Sequence, residues 1–306
     1  MSAVPPRRAV VCLGGANVDR KLRVFAPVLA GSSNPATASE SFGGVVRNVA
    51  ENLARCGVPV QLLTAVGADG AGRALLDDAA RCGIDTGMSA VVAGALTGSY
   101  TAVLNPDGSL HLALAHMDLC EQLTPAWLAG WATQCREAAL VVADLNLPAD
   151  TLAALVETAT ASEAPPLVLV AVSEAKMGRL PGSLRGVRLL VLNRGELATW
   201  SGASELAEGL ARLLATGVQT VVVTLGEAGL CLASHGGEPV FVAATPVPPE
   251  AVVDVTGAGD ALAAALCRAL YAGEVVAQGW PSACEQALAR AALTVQSPFT
   301  VVRDST

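Results

Sequence analysis

Short runs of β-branched residues alternate with longer stretches rich in Ala and Leu along this chain. "AVVCLGG" (9–15) reads as a strand closed by glycine, and "VVRNVAENLARCG" (45–57) as a helix. In that helix Val46, Val49, Ala50, Leu53 and Ala54 fall at helical spacing, and Gly57 ends it. "VPVQLLTAVG" (58–67) is the next strand, and "AGRALLDDAARCG" (71–83) the next helix, again stopped by glycine. "ALVVADLN" (139–146), "PLVLVAV" (166–172), "VRLLVLN" (187–193) and "TVVVTLG" (220–226) each read as a near-continuous apolar strand followed by a helix. Strands apolar on both faces and interleaved with helices predict an α/β fold, a doubly wound and mainly parallel sheet covered on both sides.

Two stretches break this rhythm. Residues 20–42 and 90–116 alternate as antiparallel strands do, and Asn105-Pro106-Asp107-Gly108 supplies a hairpin turn inside the second. Strand pairs inserted into a doubly wound sheet form either a flap over its site or an extension of its edge. With no linker, repeat or low-complexity tract, the expectation is one domain over 1–306 carrying a small β lid. Unpaired lid edges allow a homodimer formed through the lid.

Composition narrows the functional classes. Hydrophobic residues make up 52% of the 306 and charged ones 15%, which excludes a disordered chain. A formal charge of −8 and few aromatics argue against nucleic acid as a partner. The eight cysteines contain no C-x-x-C pair and read as reduced, mostly core residues of a cytoplasmic protein. Three histidines, two of them (His111 and His116) in a strand-like region, give no zinc set. The opening "MSAVPPRRAVVCLGG" reads as a run into the first strand rather than a signal peptide, and no apolar run reaches the ~18 residues of a membrane span.

In an open parallel sheet, ligands gather beyond the carboxyl ends of the strands. Polar groups follow several strands here: Asn17 and Asp19, Asp144 and Asn146, Ser173, Asn193 and Glu196, Thr224 and Gly226. The stretch "DVTGAGD" (254–260) then runs into an apolar helix. Capping alone explains one carboxylate at a helix start. Glycines also open the turn so that backbone N–H groups can meet an anion. A carboxylate beside a bound phosphate is repulsive unless it accepts a proton from a hydroxyl that attacks that phosphate. This is kinase chemistry without a Walker A loop, for no G-x-x-x-x-G-K-[ST] occurs.

"DVTGAGDALAAAL" resembles the second signature of the ribokinase-like (PfkB) sugar kinases, and "GGVVRNVAENLARCG" (43–57) resembles the first. Asn193-Arg194-Gly195-Glu196 is similar to the family's N-x-x-E motif, and "VTLGEAGL" (223–230) to its nucleotide-side strand and turn. The resemblance implies ATP as co-substrate and Mg²⁺ as cofactor. It implies Asp260 as the base, with the amides of Gly257, Ala258 and Gly259 as an anion hole. Asn17, Asp19, Gly43, Gly44 and Asn48 would bind the sugar. Thr224, Gly226 and Thr256 would lie by the nucleotide, with Asn193 and Glu196 near metal and phosphates. Asp254 would belong to a monovalent-cation site, which K⁺ fits, with further ligands from "TVQSPFT" (294–300).

Ribokinases carry lysine after Gly-Gly, whereas this chain has Val45, Val46 and then Arg47. Together with "TGSYTAVLNPDGSL", "AHMDLCEQLTPAWL", "ADLNLP" and "VSEAK", the first signature is most similar to the family's pseudouridine kinase branch, which phosphorylates the 5′-hydroxyl of a C-linked nucleoside. Thr97, Ser99, Tyr100 and Asp118 would then face the base. Arg47 has a plainer reading, a helix-surface arginine in a weak i,i+4 pair with Glu51. Two alternatives stay open: a kinase for ribose, adenosine, uridine or a hexose derivative, and a non-catalytic nucleoside- or sugar-binding sensor.

Overall fold

The structure, a computed structural model, describes residues 8–302. The first seven residues of the opening segment lie outside the described residues. In chain order the strands are β1 (Val10–Leu13), β2 (Asn17–Val24), β3 (Ala36–Gly43), β4 (Val60–Leu63), β5 (Ala65–Gly67), β6 (Ile84–Asp85), β7 (Ala90–Val92), β8 (Ser99–Leu104), β9 (Leu110–His116), β10 (Leu140–Asp144), β11 (Leu167–Val170), β12 (Val187–Asn193), β13 (Thr220–Thr224), β14 (Leu230–Ser234) and β15 (Val240–Val242). The helices are α1 (Val45–Arg55), α2 (Gly70–Arg81), α3 (Pro125–Ala129), α4 (Ala132–Glu137), α5 (Ala149–Thr158), α6 (Arg194–Ser201), α7 (Leu206–Ala215), α8 (Ala258–Tyr271), α9 (Glu274–Gln278) and α10 (Trp280–Val295).

Nine strands form one sheet in the order β15-β14-β13-β12-β11-β10-β1-β4-β6. It is parallel from β13 to β6, with β14 and β15 added antiparallel at one edge. The chain winds outward from β1 through β4 to β6, then returns to β10 and winds the other way. The switch point therefore lies between β1 and β10, where such sheets open a crevice at their carboxyl ends.

Strand pleating explains the continuous apolar runs. Val10 and Cys12 point to a core shared with α1, α8 and α10, through Val46, Val49, Leu266, Cys267 and Cys284. Val11 and Leu13 point to the other face, against Leu152 and Leu155 of α5 and Leu210 and Leu213 of α7. Both faces are buried, so alternation disappears from the sequence. Truncating any of these leucines to alanine should cost about 2–5 kcal/mol. All eight cysteines are free, and five of them are buried.

A second, four-stranded sheet, β3-β2-β8-β9, stands apart from the first. β2 pairs antiparallel with β3 and parallel with β8, and Asn105–Ser109 closes the β8–β9 hairpin as the turn residues predict. Two boundaries differ from the sequence reading. The run 58–67 is not one strand: after Leu63 the chain leaves the large sheet, and Ala65–Gly67 pairs with Ala90–Val92. Residues 90–92 accordingly belong to that small pair, and only 99–116 of the second segment join the four-stranded sheet. Thr64, the residue between the two strands, has strong strand propensity itself, so the sequence carries no mark of where the strand changes partner.

Candidate active site

Asp144, the last residue of β10, is fully buried at the switch point. Its carboxylate accepts from Gly15 N at 3.2 Å, Val46 N at 3.1 Å, Asn146 N at 2.9 Å and Asn146 Nδ2 at 3.2 Å. Burial pushes its pKa up to about 6, although these donors favour the ionised form. One side chain thus joins the turn after β1, the start of α1 and the loop after β10. The crevice at this point is filled by protein.

The polar residues of β2 lie beside it. Asn17 and Asp19 sit on β2, with Asn17 Nδ2 donating to Asp19 Oδ1 at 2.6 Å. In the β2–β3 register Asp19 stands opposite Ser41, two residues before Gly43. A Cβ on Gly43 would come within 1.9 Å of Asp19 Oδ2, so the carboxylate occupies space that any other residue would fill. Burial raises the pKa of Asp19, opposed by the Asn17 hydrogen bond and by the charges of Lys21 and Arg47. Tyr100 of β8 is in register with Asp19 and shares its face of the sheet.

Gly257 is the N-cap of α8, with φ +85° that glycine alone adopts easily. Ala258, Gly259 and Asp260 form the first turn behind it. Asp260 Oδ2 accepts from Asn48 Nδ2 on α1 at 2.8 Å. Burial lifts the Asp260 pKa to about 7, with Asn48 pulling down and the negative charges of Asp144 and Asp19 pushing up. A carboxylate poised near neutrality beside exposed helix-start amides can take a proton from a hydroxyl while those amides meet an anion.

Next to this turn opens a cavity of about 920 Å³, walled mainly by apolar groups including Val247, Val255 and Leu288, with Thr224, Gly226 and Gly259 at its polar edge. Thr224 is in register with Asn193 on the neighbouring strand end. Asn193 and Glu196 form a capping box on α6: Glu196 N donates to Asn193 Oδ1 at 2.9 Å, and Asn193 N donates to Glu196 Oε2 at 2.7 Å. Burial raises the Glu196 pKa, the Asn193 amide opposes this, and the nearby negative charge of Glu174 adds to it. The second oxygen of Glu196 has no partner among the described residues, and with Glu174 it offers the hard oxygen donors that suit Mg²⁺.

Asp254, expected at a monovalent-cation site, lies in the loop before α8. It accepts from Thr256 N at 2.9 Å and forms an ion pair with Lys21 of β2, which ties the four-stranded sheet to the loop before α8. Burial raises the Asp254 pKa, but the Lys21 and Thr256 contacts outweigh it and leave it low. Thr97, expected to face a base, is buried with its hydroxyl on Asp69 at 2.6 Å and accepting from Gly67 N at 3.0 Å. Its polar capacity is spent on the corner that starts α2. Asp118 begins a short 3₁₀ turn after β9 and is exposed, its side chain without a hydrogen bond among the described residues. Arg47, expected on the helix surface, is buried between Glu51 and Asp78. Sequence reasoning missed Lys21, whose only signal was its place on the same strand face as Asp19.

Comparison with known proteins gives the family. Residues 7–303 match the pfkB family carbohydrate kinase profile. Pseudouridine kinase of Escherichia coli is 32% identical over 84% of this chain and 82% of its own. An uncharacterised sugar kinase of the same strain is 31% identical over 86% of this chain and 72% of its own. Among solved structures, a carbohydrate kinase from Agrobacterium tumefaciens superposes with TM-score 0.80 at 32% identity, covering 98% of this chain and 94% of that one. The Thermotoga maritima ribokinase shares the fold at TM-score 0.81 and 22% identity, over 96% of this chain and 94% of that one. The chain belongs to the pfkB family of carbohydrate kinases, phosphotransferases acting on hydroxyl groups.

Proposed function

We propose that the chain transfers the γ-phosphoryl group of ATP to the 5′-hydroxyl of pseudouridine, with Asp260 as general base. The observation that carries the reaction is the Asn48–Asp260 contact at the mouth of α8, where the base stands beside the helix-start amides of Gly257 and Gly259, while the Ala258 amide donates to the Val255 carbonyl at 3.3 Å. The 32% identity to an E. coli pseudouridine kinase over most of both chains supports the acceptor.

In this reading the Asp19 carboxylate accepts hydrogen bonds from sugar hydroxyls with Asn17 beside it, Gly43 and Gly44 let Asp19 and the Gly15 turn pack close, and Tyr100 flanks the base. Asp260 takes the proton as the 5′-oxygen bonds to phosphorus and the bridging P–O bond to ADP breaks. Amides of Gly257, Ala258 and Gly259, together with the α8 dipole, meet the charge on the transferring group. The adenosine end would occupy the 920 Å³ cavity lined by Thr224, Gly226 and Val255, with Thr256 next in the chain. Mg²⁺, which Glu196 and Glu174 would hold with Asn193 nearby, neutralises phosphate charge when bound. The four-stranded sheet serves as the lid, within one kinase domain, and Lys21–Asp254 holds it over the cleft. A K⁺ ion near Asp254 then competes with Lys21 for the same carboxylate. The exposed row Leu110, Leu112 and Leu114 on the edge strand β9 supports a homodimer through the lid. We place the protein in the cytoplasm on its unpaired cysteines; among the described residues no helix is long and apolar enough to cross a membrane.

A second reading, another sugar as acceptor, is favoured by the 31% identity to the uncharacterised sugar kinase. The test is ADP release with Mg-ATP across pseudouridine, uridine, cytidine, adenosine, ribose and fructose. Turnover led by pseudouridine is expected. Turnover led by ribose or another nucleoside would keep the base and discard the acceptor, and silence on all six with ATP still bound would favour a sensor.

A further inference from the structure

Arg47 lies next to Asn48 on α1 and is 2% exposed. Its Nη1 reaches Glu51 at 2.6 Å, donates to the Phe42 carbonyl at 3.1 Å and meets Asn48 Oδ1 at 3.4 Å. Its Nη2 donates to Asp78 of α2 at 2.6 Å. Glu51 also accepts from Arg55, and Asp78 from Arg81, so a chain of alternating charge runs from solvent to the first turn of α1. Glu51, Asp78 and Cys82 cluster closely enough to suggest a metal centre, but Arg47 and Arg55 already neutralise the carboxylates. Buried ion pairs of this kind contribute little stability beyond what apolar side chains of equal volume would give. Here the charge chain ends on the residue that touches the base.

We propose that Arg47 is a positioning residue for phosphotransfer, acting through the Asn48 amide. An asparagine amide has one acceptor end and one donor end of nearly equal shape. A guanidinium has donors only, so it can meet Asn48 through Oδ1 alone, and that leaves Nδ2 pointing to Asp260. Flipped, the amide would set oxygen against the Asp260 carboxylate and N–H against Arg47. The Phe42 carbonyl of β3, Glu51 one turn on along α1 and Asp78 of α2 fix the guanidinium from three sides, so it cannot follow a flip. This inference rests on the reading of Asp260 as base.

The test is a double-mutant cycle on kcat. Arg47→Gln is combined with Glu51→Gln, so that no buried Glu51 carboxylate is left without Arg47 while Asp78 keeps Arg81, and the pair is made in the native chain and with Asn48→Ala. Expected is a fall in kcat of about tenfold in the native chain, by misplacement of the base. With Asn48→Ala the same pair should change kcat less than about twofold, since the relay is already gone. An equal fall in both backgrounds, or none in either, overturns the proposal and leaves Arg47 a structural ion pair. Should the pair not fold, Asp78→Asn, which removes one outer partner of Arg47, is read in the same cycle: a smaller fall that vanishes with Asn48→Ala supports the proposal, and an additive or absent one overturns it. Asp260→Asn is measured beside them, because undiminished turnover there would remove the base reading itself, whatever the cycle shows.

Discussion

Two glycine turns start the helices that Asn48 and Asp260 join, and they use the missing Cβ in opposite ways. At 43–44 the space is taken by the protein itself: Asp19 lies over Gly43, and a Cβ on Gly44 would come within 2.3 Å of the Gly15 carbonyl. At 257–259 only the first glycine is hemmed in, with Thr300 O 2.2 Å from its absent Cβ, whereas Gly259 faces open space. The first turn is glycine so that neighbouring segments can close on one another. The second is glycine so that something from outside can approach the helix start.

That contrast can be broken by single methyl groups. Gly44→Ala should have the largest effect, because φ +106° and a backbone clash cannot be relieved together; a fall in thermal midpoint of roughly 5 °C or more is expected by calorimetry. Gly259→Ala should leave that midpoint unchanged or slightly raised, since alanine favours a helix and meets no neighbour. Turnover should nevertheless fall roughly 10²-fold as the methyl group displaces the phosphate. A variant with full turnover would mean the open turn is not where phosphate sits. Gly43→Ala should push Asp19 aside without disturbing Asp260, so KM for the acceptor rises about tenfold while kcat changes little.

The pH dependence separates the carboxylates from the turns. A general base with the Asp260 pKa near 7 must lose its proton to act, so on the proposed mechanism kcat/KM should fall about tenfold per pH unit below 7. Stability moves the other way. The folded-state pKa of Asp260 lies above its unfolded value, so folding favours the protonated form, and stability declines as pH rises from about 4 towards 7. Asp144, near 6, contributes with the same sign. Asp260→Asn should therefore match the native chain in thermal midpoint at pH 4 and exceed it at pH 8.

Much of this was legible in the sequence for reasons that can be named. Continuous runs such as "LVVAD" and "LLVLN" had to be buried on both faces, which left a parallel sheet between helices. The turn 105–108 and the start of α8 are local features written in glycine, proline and aspartate, and both stand where they were read. What escaped were contacts between distant segments. Lys21 and Asp254 are 233 residues apart, and nothing in either neighbourhood points to the other. Arg47 looked like one half of an i,i+4 surface pair because Asp78, its partner on another helix, could not be seen from α1. Thr97 followed a resemblance to a lid, but the corner at Asp69 claimed its hydroxyl.

The most direct test of the central claim is the turnover of Asp260→Asn with Mg-ATP and the best acceptor, measured beside the native chain at pH 8. Asparagine keeps the shape and the neighbourhood of Asn48 but cannot take a proton. A general base in this position predicts a loss of about 10² to 10⁴ in kcat with KM for both substrates nearly unchanged. Turnover within about tenfold of the native chain would contradict it.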